Sequence, residues 1–400
     1  MNYISTRGHN CAVTSARAII KGLAEDGGLF VPENIPIIDE KFLTSLLDLS
    51  YQERAKKILS LYLTDFTAEE INQCVDNAYT TDKIVPTVEV EKNNYLLELW
   101  HGPTSAFKDM ALQLLPQFIS TSLKKLGDKD ELVILVATSG DTGKAALDGF
   151  KNVDQTKILV FYPQEGVSKI QRLQMLTQQG DNVSVFAVKG NFDDAQSGVK
   201  QIFSDSKYNE YLNEKGFKLS SANSINWGRL LPQIVYYFSA YADLVNDKKI
   251  TMGDKVNFTV PTGNFGDILA GFYAKCMGLP VNRLICASNS NNVLTDFLKT
   301  GTYDRNREFF KTISPSMDIL ISSNLERLLY HITNDATKIK SYMEKLQSTG
   351  CYQVDEVTLK AIQETFSAGY LDDNATKKCI HDIYQQDNYA LKQKQLLEDL

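Results

Sequence analysis

Histidine and cysteine are scarce in this 400-residue chain, and neither is patterned. The four histidines (His9, His101, His331, His381) lie far apart and form no HExxH, which argues against a zinc site. The six cysteines (Cys11, Cys74, Cys276, Cys286, Cys351, Cys379) form no CxxC and share no repeated spacing. Reduced thiols are expected rather than a disulfide framework. Long apolar runs are also missing: stretches such as Leu132 to Ala137 are strand-sized, far short of the roughly twenty residues of a membrane span. The opening MNYISTRGHN has no apolar core of a secretory signal, and a cytoplasmic setting is expected. Nor is there an excess of positive charge. Lys and Arg number 42 against 49 Asp and Glu, a balance of −7. That argues against a nucleic-acid or membrane partner but leaves room for a local pocket for a small anion. What remains is the composition of an ordinary globular protein, 43% hydrophobic and 23% charged, with enough chain for about two to three domains.

Fixed-period repeats, low-complexity tracts and long Gly/Ser/Pro linkers are absent. Residues 1–95 read as a largely helical region. Val13 to Leu23 is helix-sized, Asp26-Gly27-Gly28 breaks it, and Pro32 and Pro36 mark an extended passage. Helices are expected over Lys41 to Leu63, with room for a break, and over Ala68 to Ala78. Further on the texture changes. Glu131 to Ala137, Lys157 to Tyr162, Val183 to Val188, Val256 to Val260 and Leu284 to Ala287 are short apolar runs, mostly separated by helix-like segments. Runs without polar alternation suit strands covered on both faces, and the strand–helix rhythm predicts mostly parallel sheets. The helical stretch Trp227 to Val245 divides the strands into two groups. The expected fold class is therefore α/β: two mostly parallel-sheet lobes with a cleft between them, the smaller over residues 96–215 and the larger over 216–400. The last hundred or so residues read as helical and charged, with Tyr389 to Leu400 as an exposed helix.

Chemistry concentrates in three places. In HGPTSAFKDMALQLL, beginning at His101, Gly102-Pro103 punctuates the chain, Thr104 or Ser105 can cap, and an apolar run follows. Lys108 falls in the first turn of the expected helix, where the dipole opposes its charge and favours the neutral, nucleophilic amine. A solvated surface lysine beside Asp109 is the competing reading. Second, the strand Glu131 to Ala137 runs into TSGDTGKAAL, where small residues before a helix can aim amides and hydroxyls at an anion. A nucleotide P-loop fails on spacing, because Thr138 stands where its first Gly belongs and Ala145 replaces the Ser/Thr after Lys144. A plain strand–helix turn remains open. Third, Val256 to Val260 runs into PTGNFGDILAGF, where Gly263 and Gly266 permit unusual backbone angles before a helix at about Asp267. Together the three suit one phosphate in one loop, an anionic substrate group at the other, and an amine between them.

HGPTSAFKDMALQLL, ATSGDTGKAAL, SSANSINWGRLLPQ and PTGNFGD, in this order, resemble the signature blocks of threonine synthases, fold-type-II pyridoxal-phosphate enzymes. YISTRG and the Gly22 to Pro32 segment GLAEDGGLFVP resemble the N-terminal region of the same family. The resemblance runs from Tyr3 to about Asp267 and continues more weakly. It implies pyridoxal 5′-phosphate in the cleft, bonded to Lys108, with Gly263, Asn264, Phe265, Gly266 and Asp267 on the loop that holds the cofactor phosphate. It implies that Ser139, Gly140, Asp141, Thr142 and Gly143 face the amino-acid substrate. Asn223, Asn226 and Arg229 fall on the SANSINWGR block, and Arg229 becomes a partner for the substrate phosphate or, equally, a member of a structural ion pair.

The implied reaction converts O-phospho-L-homoserine and water to L-threonine and phosphate, with Lys108 as the base. A monomer or a homodimer is compatible with it. The rival readings are a related pyridoxal-phosphate lyase releasing a keto acid and ammonia, and a non-catalytic binding protein on the same scaffold. Two expectations mark departures from the family pattern. Pro116 falls inside the helix expected after Lys108, where it would remove a hydrogen bond and kink the helix. After Gly350 there is no match to the Ser/Thr segment that supplies a hydroxyl to the cofactor's pyridine nitrogen, so the 400-residue chain is expected to bind cofactor but turn over poorly.

Overall fold

The apolar runs pair as parallel strands in two separate sheets. In the computed structural model, which describes residues 1–387 and 389 apart from 9, 10, 82, 139, 165, 166 and 191, one sheet has four strands. Its order is Val183–Val188, Thr156–Pro163, Glu131–Ala137 and Phe217–Ser220, all parallel. The second sheet orders Phe366–Tyr370, Val281–Ser288 and Val256–Pro261, again parallel. The two strands of these parallel sheets that were not anticipated, Phe217–Ser220 (FKLS) and Phe366–Tyr370 (FSAGY), are both at sheet edges. An edge strand pairs on one side only and can be short and mixed in polarity, so it leaves no apolar run. The edge strand Val183–Val188 also departs from the expected two-sided cover. Its Phe186 is 46% exposed and stacks on Phe161.

The N-terminal helices are Ser15–Lys21, Glu40–Thr44, Tyr51–Tyr62 and Ala68–Ala78. The break expected between Lys41 and Leu63 falls before Ser50, which forms a capping box with Glu53; Thr67 and Glu70 form a second one. The helical reading of this region missed two antiparallel pairs, Tyr3–Ser5 with Phe30–Pro32 and Thr87–Glu91 with Asn94–Leu97. Trp227, fully buried, joins this region to the rest. Its ring lies 5.3 Å from Tyr3, 5.6 Å from Tyr62 and 5.3 Å from Tyr273, the last on the helix Gly266–Met277. The long helix that Trp227 opens, Trp227–Asn246, is thereby anchored at the end that carries Arg229.

Pro116 does not interrupt a helix. The helix after Lys108 is a single turn, Asp109–Leu112, and a new helix, Leu115–Leu126, has Pro116 in its first turn, where no intrahelical N–H is needed. The C-terminal part contains the expected helices, among them Ala336–Ser348 and Glu356–Thr365. The segment from Tyr389 to Leu400, apart from Tyr389, lies outside the described residues. Among the described residues no helix is long and apolar enough to cross a membrane.

Candidate active site

Between the sheets lies a cavity of about 750 Å³. One side is formed by Trp100, Thr104 to Phe107, Asp141, Lys144 and Gln171, and the other by Tyr236, Tyr237, Phe258 to Pro261, Asp267 and Ser314 to Met317.

Lys108 stands at the N-cap of the one-turn helix Asp109–Leu112 with α-region backbone angles, its ammonium 5.8 Å from the centroid of Phe107, a cavity wall residue. One turn has a smaller dipole than a full helix, so the electrostatic argument made from sequence is weaker than expected there. The geometry of the loop comes from Asp109 instead. Fully buried, its carboxylate accepts from the Thr104 amide (2.8 Å), the Thr104 hydroxyl (2.6 Å) and the Ala106 amide (3.4 Å). Burial pushes this carboxyl up, against the pull of those hydrogen bonds. Gly102 completes the fold of the loop, since a Cβ there would lie 2.4 Å from the Asp109 Cβ.

In the SGDTG loop, Thr138 Oγ1 accepts from the amides of Gly140 (3.0 Å) and Gly143 (2.9 Å), which curls the chain into the helix Asp141–Phe150. Gly140 sits at φ 141°, and a Cβ there would be 2.3 Å from Gln171. Ser139 lies outside the described residues. Gly143 packs the helix onto the sheet, its missing Cβ making room for Thr138, Met175 and Val160. Thr142 is half-buried beside it. Asp141 reaches the cavity, accepting from Gln171 Nε2 (2.7 Å) and from the Ser316 hydroxyl. Lys144, which sequence reasoning used only to exclude a P-loop, is a buried cavity lysine. It donates to the Thr104 carbonyl (3.0 Å) and lies 3.6 Å from Asp141. This helix also closes on the lysine loop: a Cβ on Gly149 would stand 1.9 Å from the Leu112 carbonyl oxygen.

The GNFGD loop follows Val256–Pro261 and ends at Phe265, a buried residue in the left-handed region (φ 62°) that caps the helix Gly266–Met277. The amides of Gly263, Asn264, Phe265 and Gly266 have no acceptor among the described residues. The space beside Gly266 is bounded by Asn324 Nδ2 at 3.5 Å, Gln233 Nε2 at 3.8 Å and the Ser224 Cβ at 3.8 Å, measured from where its Cβ would be. Four free amides, a helix N-terminus and two side-chain amide nitrogens make an anion cradle. Asn324 fixes it, donating from both its amides to the Asn264 carbonyl. Asp267 stands apart from the cradle, at the cavity wall, where it accepts from Tyr237 (3.0 Å) and from the Tyr236 hydroxyl.

In the SANSINWGR block the residues divide. Asn226, fully buried, is occupied structurally. Its Oδ1 accepts from the Gly228 amide, and its Nδ2 donates to the Ile19 and Ser221 carbonyls. Its side chain thereby fixes the block against the N-terminal region. Asn223 is half-buried in the same turn, its carbonyl accepting from the Asn226 amide. Arg229 is buried with one hydrogen bond, from Nη1 to the Ala222 carbonyl (2.7 Å), and no carboxylate partner among the described residues. Burial alone lowers its pKa to about 10. Arg327 shows the contrast: equally buried, it spends all three nitrogens on Phe30, Asn324 and Ile225 oxygens. Arg229 therefore forms no ion pair among the described residues.

Sequence reasoning missed Lys144, Gln233, Ser316 and Asn324. SPSMD and SSNLER carry no spacing that points to an anion or a cleft, and only the fold brings them to the loops. Among the described residues no cavity-lining residue follows Gly350; the cavity's Ser and Thr hydroxyls come from earlier positions, Thr259 and Ser316 among them.

Two parallel-sheet α/β lobes with a cavity between them, a lysine loop beside it and a strand–helix loop with free amides make the architecture of a two-lobed α/β protein. The family model described as threonine synthase N terminus matches residues 2–79. The chain is 38% identical over 396 residues to the threonine synthase of Pseudomonas aeruginosa, covering 98% of this chain and 82% of that protein. It is 42% identical to threonine synthase-like 1 of Macaca fascicularis, over 94% of this chain and 52% of the relative, so it spans about half the length of that protein. The crystal structure of PLP-bound threonine synthase from Brucella melitensis superposes with a TM-score of 0.93 at 39% identity, covering 100% of this chain and 84% of that one. The chain belongs to the threonine synthase family.

Proposed function

We propose that this protein binds pyridoxal 5′-phosphate on Lys108 and converts O-phospho-L-homoserine and water to L-threonine and phosphate. The buried Arg229 guanidinium, without a carboxylate partner among the described residues, is the observation that carries the phosphorylated substrate. An uncompensated buried cation costs several kcal/mol, roughly, unless an anion completes it, and the planar donor fork matches a phosphate. The four free amides of the GNFGD loop, with Asn324 and Gln233 beside Gly266, fit a cofactor phosphate.

Bound there, pyridoxal 5′-phosphate supplies an electron sink for carbanions at the substrate's α and β carbons. The remaining work falls to the chain. The Lys108 amine takes and returns protons at those carbons, held in place by the Asp109-centred loop. The SGDTG loop and Asn223 orient the amino-acid end, and Arg229 holds the phosphate through its departure. The four-stranded lobe, which runs on past the boundary at 215 expected from sequence to include Phe217–Ser220, and the lobe of the three-stranded sheet enclose the reaction. The six cysteines are free thiols, in keeping with a reducing, cytoplasmic setting.

Product analysis tests the reading. Incubation of the cofactor-loaded protein with O-phospho-L-homoserine is expected to yield threonine and phosphate in equal amounts. A keto acid with ammonia would move the assignment to a phospho-lyase, and phosphate release no faster than without protein would leave a binding role. The cradle makes a separate prediction. Gly266 has no positive φ and has space for a first carbon, so Gly266→Val folds, but its methyl groups occupy the cradle. Cofactor dissociation, followed by dialysis and absorbance, is expected to rise at least tenfold while the melting temperature moves by only a few degrees. Unchanged retention in the folded variant would remove the cofactor phosphate from this loop.

A further inference from the structure

We infer that Ser316 is a positioning residue that latches the two lobes together across the cleft, an inference that rests on the cleft being the substrate site. Its hydroxyl donates to Asp141 Oδ2 in the first turn of the SGDTG helix, on the four-stranded lobe. Its carbonyl oxygen lies 3.2 Å from where a Cβ on Gly263 would be, so its backbone backs the GNFGD loop of the other lobe. One residue thus spans both glycine loops.

Both ends of the contact are held. On the large lobe, Ser316 sits in the 3-10 turn Pro315–Met317, closed by the Met317 amide donating to the Ser314 carbonyl. The flanks of that turn are tied down by Asn289, whose Nδ2 donates to the Ser314 hydroxyl (2.9 Å) and to Asp318 (2.8 Å). Asn291 and Thr312 donate to the same Asp318 oxygen, at 3.0 and 2.7 Å. On the small lobe, the other oxygen of Asp141 accepts from Gln171 (2.7 Å), and Lys144 stands 3.6 Å away. Lys144 in turn donates to the carbonyl of Thr104, whose own amide and hydroxyl hold Asp109 next to Lys108. The contact therefore carries the relative position of the two lobes to the loop that bears the lysine. A hydroxyl donating to a carboxylate is a charge-assisted bond, strong enough to bias a closed arrangement while still able to break for ligand exchange.

The test compares Ser316→Ala, which removes the hydroxyl, with Ser316→Thr, which keeps it. Trp100 lines the cleft, and the chain's other tryptophan, Trp227, is fully buried, so acrylamide quenching of tryptophan fluorescence reports cleft opening without any assay of activity. In the cofactor-loaded protein, Ser316→Ala is expected to raise the quenching constant at least twofold and Ser316→Thr to restore it. With O-phospho-L-homoserine, Ser316→Ala raises KM about tenfold, the scale of one lost charge-assisted hydrogen bond, with kcat within twofold, and Ser316→Thr returns it. Unchanged quenching in Ser316→Ala overturns the latch, as does an equal rise in Ser316→Thr or a fall in kcat with KM unchanged. If quenching behaves as expected but no variant, nor the parent, turns over this substrate, the latch stands and the substrate assignment fails.

Discussion

Replacing Lys108 with alanine is expected to abolish the visible absorbance of the cofactor-loaded protein and to lower turnover by about a thousandfold or more, the scale of losing both a nucleophile and a general base. The fold should survive. Lys108 is half-buried at a helix start, and its side chain caps nothing; the loop is held by Asp109, Thr104 and Gly102. The measurement is borohydride reduction followed by peptide mass spectrometry. The parent protein should carry the reduced cofactor on the peptide containing Lys108, and Lys108→Ala should carry none. Cofactor trapped on Lys144, the lysine that lines the cavity, would overturn the assignment.

The second large effect belongs to Arg229, and it has opposite signs for function and for stability. Arg229→Met removes the guanidinium but keeps its length and apolar stem. If the substrate phosphate sits on that guanidinium, kcat/KM should fall by about 100-fold or more, since deleting one partner of a buried charged pair costs roughly 2–5 kcal/mol. The protein without substrate loses only a buried cation that has one carbonyl partner. Replacing such a charge by a well-packed apolar side chain is neutral or stabilising by about 1–4 kcal/mol. Steady-state kinetics and thermal denaturation of the same variant therefore decide between roles. A large loss of stability with modest kinetic change would make Arg229 a structural residue, as Arg327 is with its three carbonyl and amide acceptors.

Gly140 and Phe265 illustrate how far local chemistry reached. The small residues after each apolar run marked both loops. The left-handed angle expected at Gly263 or Gly266 falls on Phe265 (φ 62°) instead, because the turn into the helix is set by how the loop packs, while Gly140 takes φ 141° in the other loop. The strands at the centre of each sheet were legible, because a buried parallel strand needs an unbroken apolar run. The edge strands Phe217–Ser220 and Phe366–Tyr370 were not legible, since pairing on one side only imposes no such run. Pro116 was placed inside a helix because the apolar run is continuous across it, while the backbone divides that run into two helices and uses the proline as a start.

By itself the sequence determined the α/β class, the two glycine loops and the lysine, because each depends on residues within about twenty positions of one another, where backbone sterics and periodicity act directly. The tertiary structure alone decided which charges are paired. That Asn226 is consumed as a cap and that Arg229 has no carboxylate partner among the described residues follows from packing against Ile19 and Ala222. Lys144 reaching Thr104, Asn324 completing the phosphate cradle and Ser316 meeting Asp141 across 175 positions of chain are likewise outcomes of how the lobes stack. Hydrogen bonds and burial act over a few ångströms in space whatever the separation in sequence, so no local pattern records them.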